Sequence, residues 1–319
     1  MKPGKAVDRR NIDLGPGKEF DIVRALLAEW GKAAERIGDD AAVLDVPKGE
    51  RIVISTDTSV EGIHFRRDWL NSFEIGYRAT AASLSDLAAM AARPLGILIA
   101  LTLPEGDKTE AREIATGIRE GASAVLCPIV GGDLSSGKDL SLTITAVGST
   151  SHPLTRSGAL AGHRVYVTGR LGGPAAAVRA WRAGGQPSDR DRARFACPVP
   201  RIDAAIGLSH RRASSGIDIS DGLTADLQHI AAASRVCIEI DLERVPRFDG
   251  VTPIEAASSG EEYEIVVTAP EIDTRQFSEE FGLDLTEIGR VVAGSPGVDV
   301  LSGGERISVP AGFDHFRDK

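Results

Sequence analysis

Short runs of β-branched residues alternate with alanine- and leucine-rich helical segments along almost the whole chain. The first half shows this in four segments, a strand over Arg51–Ser55, a helix over Gly76–Ala92, a strand over Leu95–Leu103 and a helix over Thr109–Val125. The same alternation returns after residue 160. Aromatic residues make up only 5% of the sequence, so the cores must be aliphatic. The pattern predicts an α/β (α+β) fold.

The length of the chain and one polar stretch predict two domains. A chain of 319 residues exceeds what a single small core usually organises. The stretch Ser149–Pro153 is small, polar and ends in proline, and it separates the predicted strands Leu140–Gly148 and Arg164–Thr168. We therefore place the boundary there, which gives domains of residues 1–150 and 151–319.

Composition excludes several classes of protein. The net charge is −9 at pH 7, whereas a nucleic-acid groove needs a basic excess. The three cysteines, Cys127, Cys197 and Cys237, are too few and too widely spaced for a disulfide framework or a zinc site. The longest apolar run, Leu95–Leu103, is far shorter than a membrane span, and the charged first twenty residues do not resemble a signal peptide. These features predict a cytoplasmic protein that binds neither nucleic acid nor membrane.

Carboxylates in apolar or glycine-rich surroundings are the features that bear most on function. They occur in five motifs, Ile37–Leu44, Ser55–Thr58, Leu84–Met90, Val130–Asp133 and Ile217–Gly222. Burying an unpaired carboxylate is costly, so such acids need a cation or hydrogen-bond donors. Mg²⁺ takes few carboxylates per ion and completes its shell with water and phosphate. Five such motifs with few basic residues beside them indicate magnesium and a phosphate-bearing substrate.

Each of these residues, taken singly, also has a structural interpretation. Asp221 precedes Gly222 and a helical run, so it could cap that helix. Asp57 could form an Asx-turn. His64 lies among the acidic motifs, but an isolated histidine is more often structural. Only the number of motifs in one chain favours the metal interpretation.

Taken together and in order, the motifs resemble those of the bacterial thiamine-monophosphate kinase family. The resemblance rests on Ile37–Leu44, Ser55–Phe65, Leu84–Met90, Gly131–Asp133, Leu154–Ala159, Ile217–Leu223, Gly260–Glu264 and Phe313–Phe316. It runs from about Phe20 to Phe316, and its first Ser-Thr-Asp-Thr block and its closing Asp-His-Phe block are specific. The family belongs to a superfamily with aminoimidazole ribonucleotide synthetase, selenophosphate synthetase and a hydrogenase maturation protein.

The resemblance implies an activity and an architecture. The activity is ATP-dependent phosphorylation of thiamine monophosphate to thiamine diphosphate, by direct in-line transfer with several magnesium ions. The architecture is the two-domain aminoimidazole ribonucleotide synthetase-like fold. In it the N-terminal domain binds Mg-ATP and contributes strands to a barrel shared across a homodimer. The C-terminal domain closes the active-site cleft.

The resemblance also implies roles for residues at matching positions. Those that would bind magnesium are Asp40, Ser55, Thr56, Asp57, Asp86, Asp133, Asp218 and Asp221. Those that would contact ATP are Gly132, Asp133, Arg156 and Ser220. Those that would contact the thiamine phosphate are His64, Glu261 and Phe313. Among them Asp86, Asp133 and Arg156 would be catalytic. Glu262 stands where the family commonly has Asp, so a longer side chain lies beside Glu261.

Two other functions stay open on the sequence alone. A selenophosphate synthetase-like enzyme would favour a reactive Cys or Lys in the N-terminal arm, which here contains Lys2, Lys5 and Lys18 but no cysteine. A non-catalytic regulator that binds magnesium and nucleotide would carry the same acids.

A phosphate monoester is already largely ionised at neutral pH, because its second pKa is about 6. A kinase acting on such an acceptor therefore needs no general base, and the sequence presents no convincing one.

Overall fold

The computed structural model describes residues 17–35, 37, 40–104, 108–310 and 312, and packing divides the chain into two compact units. The first unit takes the described residues up to Pro47, together with Ile54–Ser83 and Pro94–Val147. The second takes Lys48–Val53, Leu84–Arg93 and the described residues from Gly148 onward. Since two short segments of the N-terminal half group with the second unit, the division is not a single cut in the chain. The boundary between residues 150 and 151 stays a prediction.

The first unit is built on a four-stranded sheet in the order β1-β4-β2-β3. Its strands are β1 (Arg51–Val60), β2 (Arg93–Leu103), β3 (Ile129–Ser136) and β4 (Ser141–Thr150). Its helices are α1 (Lys18–Trp30), α2 (Ser72–Ala89) and α3 (Lys108–Ser123), with a short 3₁₀ turn over Gly31–Ala34. Helices α2 and α3 approach closely at Gly117, where a Cβ would collide with the Phe73 carbonyl oxygen. Only glycine permits this packing.

Burial alternates along β2 and separates the two faces of this sheet. Ile97, Ile99 and Leu101 are at most 3% exposed, whereas Leu98 is half-buried and Ala100 is exposed. Alternate strand residues point to opposite faces, so one face of the sheet carries the core. The opposite face is much less buried.

The second unit is built on a seven-stranded sheet in the order β11-β10-β7-β9-β5-β8-β6. Its strands are β5 (Arg164–Thr168), β6 (Ser215–Asp218), β7 (Cys237–Asp241), β8 (Ile265–Ala269), β9 (Leu285–Val292), β10 (Gly297–Ser302) and β11 (Glu305–Ile307). Its further helices are α4 (Gly173–Arg182), α5 (Asp189–Ala196), α6 (Ile202–His210), α7 (Leu223–Ser234), α8 (Pro253–Ser258) and α9 (Thr274–Phe281). Strand pairing is antiparallel apart from β7 with β10.

The core of the second unit is aliphatic, as the low aromatic content predicts. Val165 and Val167 of β5, Val266 of β8, and Leu223 and Leu227 of α7 are buried in one hydrophobic cluster. Helix α7 therefore lies against the sheet through its leucines, which holds the acidic loop before it in a defined position. Among the described helices, none combines the length and the apolar character that a membrane span requires.

The predicted helices and strands of regular hydrophobic period are confirmed, with ends that shift by a few residues. The stretch Gly184–Arg194 is polar, and its sequence predicts a loop; this prediction is wrong in the second half, where α5 begins at Asp189. The start of α5 is set by the side chain of Ser188, which accepts a hydrogen bond from the Asp191 N–H. Helices α6, α8 and α9 and strands β3, β10 and β11 were not predicted. Each of these elements has nine residues or fewer, which is too short for a hydrophobic period to identify it from the sequence.

Candidate active site

In the first unit, three predicted magnesium ligands follow one another on β1. Strand alternation places the side chains of Ser55 and Asp57 on one face and that of Thr56 on the other. The Thr56 hydroxyl lies 3.2 Å from the Thr145 hydroxyl on β4. The side chain of Thr56 is thus engaged away from the face that carries Asp57. Asp40 is exposed and directly follows residues 38 and 39, which lie outside the described residues.

Asp133 lies in β3 directly after two glycines and is exposed. A Cβ at Gly132 would collide with the carbonyl oxygen of Ile99 on the paired strand β2, so this position requires glycine. An apolar cavity of about 80 Å³ adjoins the segment and is lined by α1, including Leu27 and Trp30. Gly132 and Asp133 therefore form a rigid strand segment beside an apolar cavity.

His64 lies in the loop after β1 and has a backbone partner. Its Nδ1 accepts a hydrogen bond of 3.1 Å from the Val60 N–H. In the neutral ring the proton is then on Nε2, so this edge is a donor. The contact orients the ring and supports the structural interpretation of His64.

The second unit brings several predicted site residues together. The Ser85 hydroxyl of α2 donates a hydrogen bond of 2.6 Å to Asp218 Oδ2 at the end of β6, and both side chains are buried. Asp86 follows Ser85 and is half-buried, whereas Leu84 and Leu87 on the same helix are fully buried. Asp86 thus avoids the apolar face of α2 and lies next to the residue that binds Asp218.

Asp226 is a member of this acidic cluster that sequence reasoning missed. It lies in the first turn of α7, is 1% exposed, and its Oδ2 accepts hydrogen bonds of 3.1–3.2 Å from the N–H groups of Ser220, Asp221 and Gly222. Burial, together with the negative charges of Asp218 and Asp221, raises its pKa to about 8. The sequence signal that could have identified Asp226 is an acidic residue between apolar residues, in the predicted helix directly after the motif Ile217–Gly222.

These contacts bear on the structural interpretation of Asp221. The residue at the N-cap of α7 is Gly222, and the loop N–H groups are bound by Asp226 instead. Capping of α7 therefore does not account for Asp221. The side-chain ligand atoms of Asp221, Asp226 and His229 lie within 4.8 Å of one another. Carboxylate oxygens concentrated in this way, with the pKa of Asp226 raised by burial and then by the neighbouring negative charges, fit a divalent cation.

Arg156 lies at the other end of α7 from Ser220. The Ser234 hydroxyl, in the last turn of α7, donates to the Arg156 backbone oxygen at 3.1 Å and accepts from the Gly158 N–H at 3.1 Å. Since α7 has 12 residues, its ends are about 18 Å apart. The two predicted ATP contacts would therefore meet different parts of a nucleotide.

Glu261 lies beside Ser220, because its N–H donates a 2.7 Å hydrogen bond to the Ser220 carbonyl oxygen. Glu261 and Tyr263 both have left-handed backbone conformations, with φ values of 63° and 52°. The Tyr263 hydroxyl donates to Glu261 Oε2. A predicted acceptor contact and a predicted nucleotide contact are thus adjacent. Phe313, the third predicted acceptor contact, lies outside the described residues.

Glu262 and Glu264 point into the second unit and are 0% and 1% exposed. Burial raises the pKa of Glu262 to about 7, although Arg194 acts in the opposite direction. Glu264 is bound by Arg201 at 2.6 and 3.0 Å. The longer side chain at 262 reaches the backbone N–H of Gly172, at the start of α4. Sequence reasoning missed this network, since its arginines are distant in the chain.

Comparisons with known proteins agree with the motif order. Residues 38–150 match the AIR synthase related protein N-terminal domain family, and residues 161–300 match the corresponding C-terminal domain family. The thiamine-monophosphate kinase of Escherichia coli K12 is 36% identical over 93% of this chain and 95% of its own length. The predicted two-domain fold is confirmed.

Two solved structures are similar over nearly the whole chain. The crystal structure of thiamine-monophosphate kinase from Stenotrophomonas maltophilia K279a is 33% identical, with a TM-score of 0.80, and covers 92% of this chain and 98% of its own. The structure of AaThiL complexed with AMPPCP and TMP is 29% identical, with a TM-score of 0.74, and covers 95% of this chain and 100% of its own.

Proposed function

The chain belongs to the thiamine-monophosphate kinase family, and from this premise we propose that it uses ATP to phosphorylate thiamine monophosphate to thiamine diphosphate. The observation that carries the proposal furthest is the acidic cluster of Asp218, Asp221 and Asp226, in which Asp218 and Asp226 are buried and Asp221 is half-buried. Such a cluster suits a reaction in which phosphate groups must be bound together with divalent cations. The neighbour bound to AMPPCP and TMP supports the same pair of substrates.

We propose that each unit supplies its own set of magnesium ligands. In the first unit they are Asp40, Ser55, Thr56, Asp57 and Asp133. In the second unit they are Asp86, Asp218 and Asp221. When bound, magnesium supplies charge neutralisation and alignment of the two phosphate groups. Because the Thr56 hydroxyl is engaged by Thr145, the contribution of Thr56 would come from its backbone oxygen.

The reaction needs orientation and no general base. An oxygen of the acceptor phosphate, already ionised at neutral pH, forms a bond to the γ-phosphorus. The bond from that phosphorus to the bridging oxygen breaks, and ADP leaves with the electron pair. We assign Gly132, Asp133, Arg156 and Ser220 to ATP, and Glu261, His64 and Phe313 to the acceptor. Asp86, Asp133 and Arg156 would act on the transferred group.

The test is an assay of the purified protein with Mg-ATP and thiamine monophosphate, with thiamine diphosphate detected by chromatography. Product that depends on all three components supports the proposal. Nucleotide binding without product would instead favour a regulator. ATP consumption with selenide but not with thiamine monophosphate would favour a selenophosphate synthetase-like enzyme.

Direct transfer predicts that labelled ADP does not exchange into ATP when no acceptor is present. A phosphoenzyme would allow this exchange, because the phosphoryl group could return from the protein to ADP. The positive control adds thiamine diphosphate, which permits exchange through the reverse reaction. Exchange with nucleotide and magnesium alone would contradict direct transfer.

We also propose a homodimer formed through the less buried face of the four-stranded sheet. On the edge strand β1, Ile52 and Ile54 are 55% and 65% exposed. An edge strand with exposed aliphatic side chains is suited to pairing with a second chain. This arrangement would allow the shared barrel. A cytoplasmic location belongs to the same proposal.

Ile54→Glu should convert the dimer to a monomer, because burying a carboxylate at the interface would be costly. Light scattering at micromolar concentration measures the change in mass. The control is Leu126→Glu, which also replaces an aliphatic side chain by Glu, at a position that is 91% exposed in a turn after α3. A wild-type protein with a monomer mass would rule out the dimer.

A further inference from the structure

The loop that carries Glu261 has a strained backbone. Left-handed conformations at non-glycine residues are unfavourable and persist only where the surroundings over-determine them. Here two such residues, Glu261 and Tyr263, flank Glu262. The N–H groups of Glu262 and Tyr263 both donate to the Ile219 carbonyl oxygen, at 3.1 and 2.9 Å. Side-chain contacts of the loop add to these backbone hydrogen bonds in holding this conformation.

The side chain of Glu262 ties the strained loop to the rest of the second unit. Glu262 Oε1 accepts from the Gly172 N–H at the N-terminus of α4. Glu262 Oε2 lies 3.6 Å from Arg194 Nη2 of α5, and the same Nη2 donates to the Glu262 backbone oxygen at 2.9 Å. One residue between two strained positions is thus fixed to two helices.

A second ion pair fixes Arg194 in turn. Arg194 Nη2 lies 3.1 Å from Glu264 Oε1, and Arg201 binds both oxygens of Glu264. The Thr168 hydroxyl donates to Glu264 Oε2 at 2.7 Å. Arg194 is therefore held between two buried carboxylates and cannot easily move away from Glu262.

This network is poorly optimised for stability. Arg194 Nε is buried without a hydrogen-bond partner, and Glu262 Oε2 faces Arg194 Nη2 only at 3.6 Å. A buried ion pair with incomplete hydrogen bonding adds little stability, because desolvation offsets the attraction. Such a pair is better suited to fixing the conformation of the loop than to raising stability.

We propose that Glu262 and Arg194 are positioning residues that set the direction of the Glu261 carboxylate and thereby the affinity for the acceptor. The Tyr263 hydroxyl, which donates to Glu261, transmits the loop conformation to that carboxylate. The inference rests on the proposed function, because it assigns Glu261 to the acceptor. Both side chains face the interior, with Glu262 fully buried and Arg194 15% exposed, so we assign them an indirect role through Glu261.

Glu262→Gln tests the inference, since it keeps the side-chain length and removes the charge that faces Arg194. We expect the KM for thiamine monophosphate to rise about tenfold, as for a lost charge-assisted contact, with the KM for ATP within about twofold of wild type. Glu262→Asp keeps the carboxylate and should restore the acceptor KM to within about threefold of wild type. The control Arg179→Met removes the exposed ion pair of α4 with Glu255 and should change neither KM.

Thermal melts identify which variants are folded. If Glu262→Gln does not fold, Arg194→Lys is the second test of the inference. It should raise the KM for thiamine monophosphate and leave the KM for ATP unchanged. An unchanged acceptor KM, or an equal rise in both KM values, would show a purely structural role and overturn the inference. Failure of the proposed function is distinct, because the wild-type protein would then form no thiamine diphosphate.

Discussion

Asp86→Asn should lower kcat by roughly two to three orders of magnitude while leaving the protein folded. The substitution keeps the size of the side chain and removes its charge. The apolar face of α2 is formed by residues such as Leu84 and Leu87, so the half-buried Asp86 is not needed for the core. Its place beside Ser85, which binds Asp218, puts it next to the acidic cluster.

The measurement is kcat as a function of magnesium concentration, together with thermal melts of the metal-free protein. The melting temperature should hold or rise, because clustered carboxylates repel one another without a cation. The matched control is Glu113→Gln, which removes an exposed acid from the middle of α3 and should leave kcat unchanged. Near-normal kcat of Asp86→Asn at saturating magnesium would remove Asp86 from the metal site.

The metal-free protein should lose stability as the pH rises from about 5 to 8, through the titration of Asp226. Its pKa in the folded protein is raised to about 8, from an unperturbed value of 3.8. Between these values the unfolded chain releases a proton that the folded protein retains. The contribution to the unfolding free energy therefore falls by up to about 1.4 kcal/mol per pH unit.

Denaturant unfolding in the presence of a chelator, at several pH values, measures this slope. The difference between wild type and Asp226→Asn isolates Asp226 from the other titrating groups, and the variant should be less sensitive to pH. Magnesium should stabilise the wild type more at pH 8 than at pH 5, since protons compete with the cation. Equal slopes for the two proteins would show that Asp226 does not retain its proton in this range.

The sequence predicts the positions of long, periodic helices better than those of short helices and strands. Helices such as α2 and α7 repeat apolar residues at helical spacing, so their positions were predicted closely. Helix α5 has eight residues, of which six are charged or alanine before Phe195, and its start depends on a cap. Strands β10 and β11 are defined mainly by pairing with β7 and with each other. Periodicity cannot report such pairing.

The acidic motifs were visible because a carboxylate in an apolar or glycine-rich stretch is costly wherever the chain places it. Their order along the chain identified the family before any contact was known. The sequence could not decide, for each acid, between a structural role and a metal-binding role. The contacts bear on that choice, such as the hydrogen bond from the Ser85 hydroxyl to Asp218 and those from three loop N–H groups to Asp226.

The sequence by itself determined the fold class, the family and the residue types available for phosphate chemistry, because hydrophobic period and local motifs are properties of short stretches of chain. Only the tertiary structure decided that Asp226 holds the loop before α7 and that Glu262 is buried against Arg194 and the start of α4. These roles depend on desolvation and on partners up to 90 residues away. The pKa of a carboxylate is raised only when folding removes water from around it. A distant partner can fix the backbone beside that carboxylate only when folding brings the two into contact.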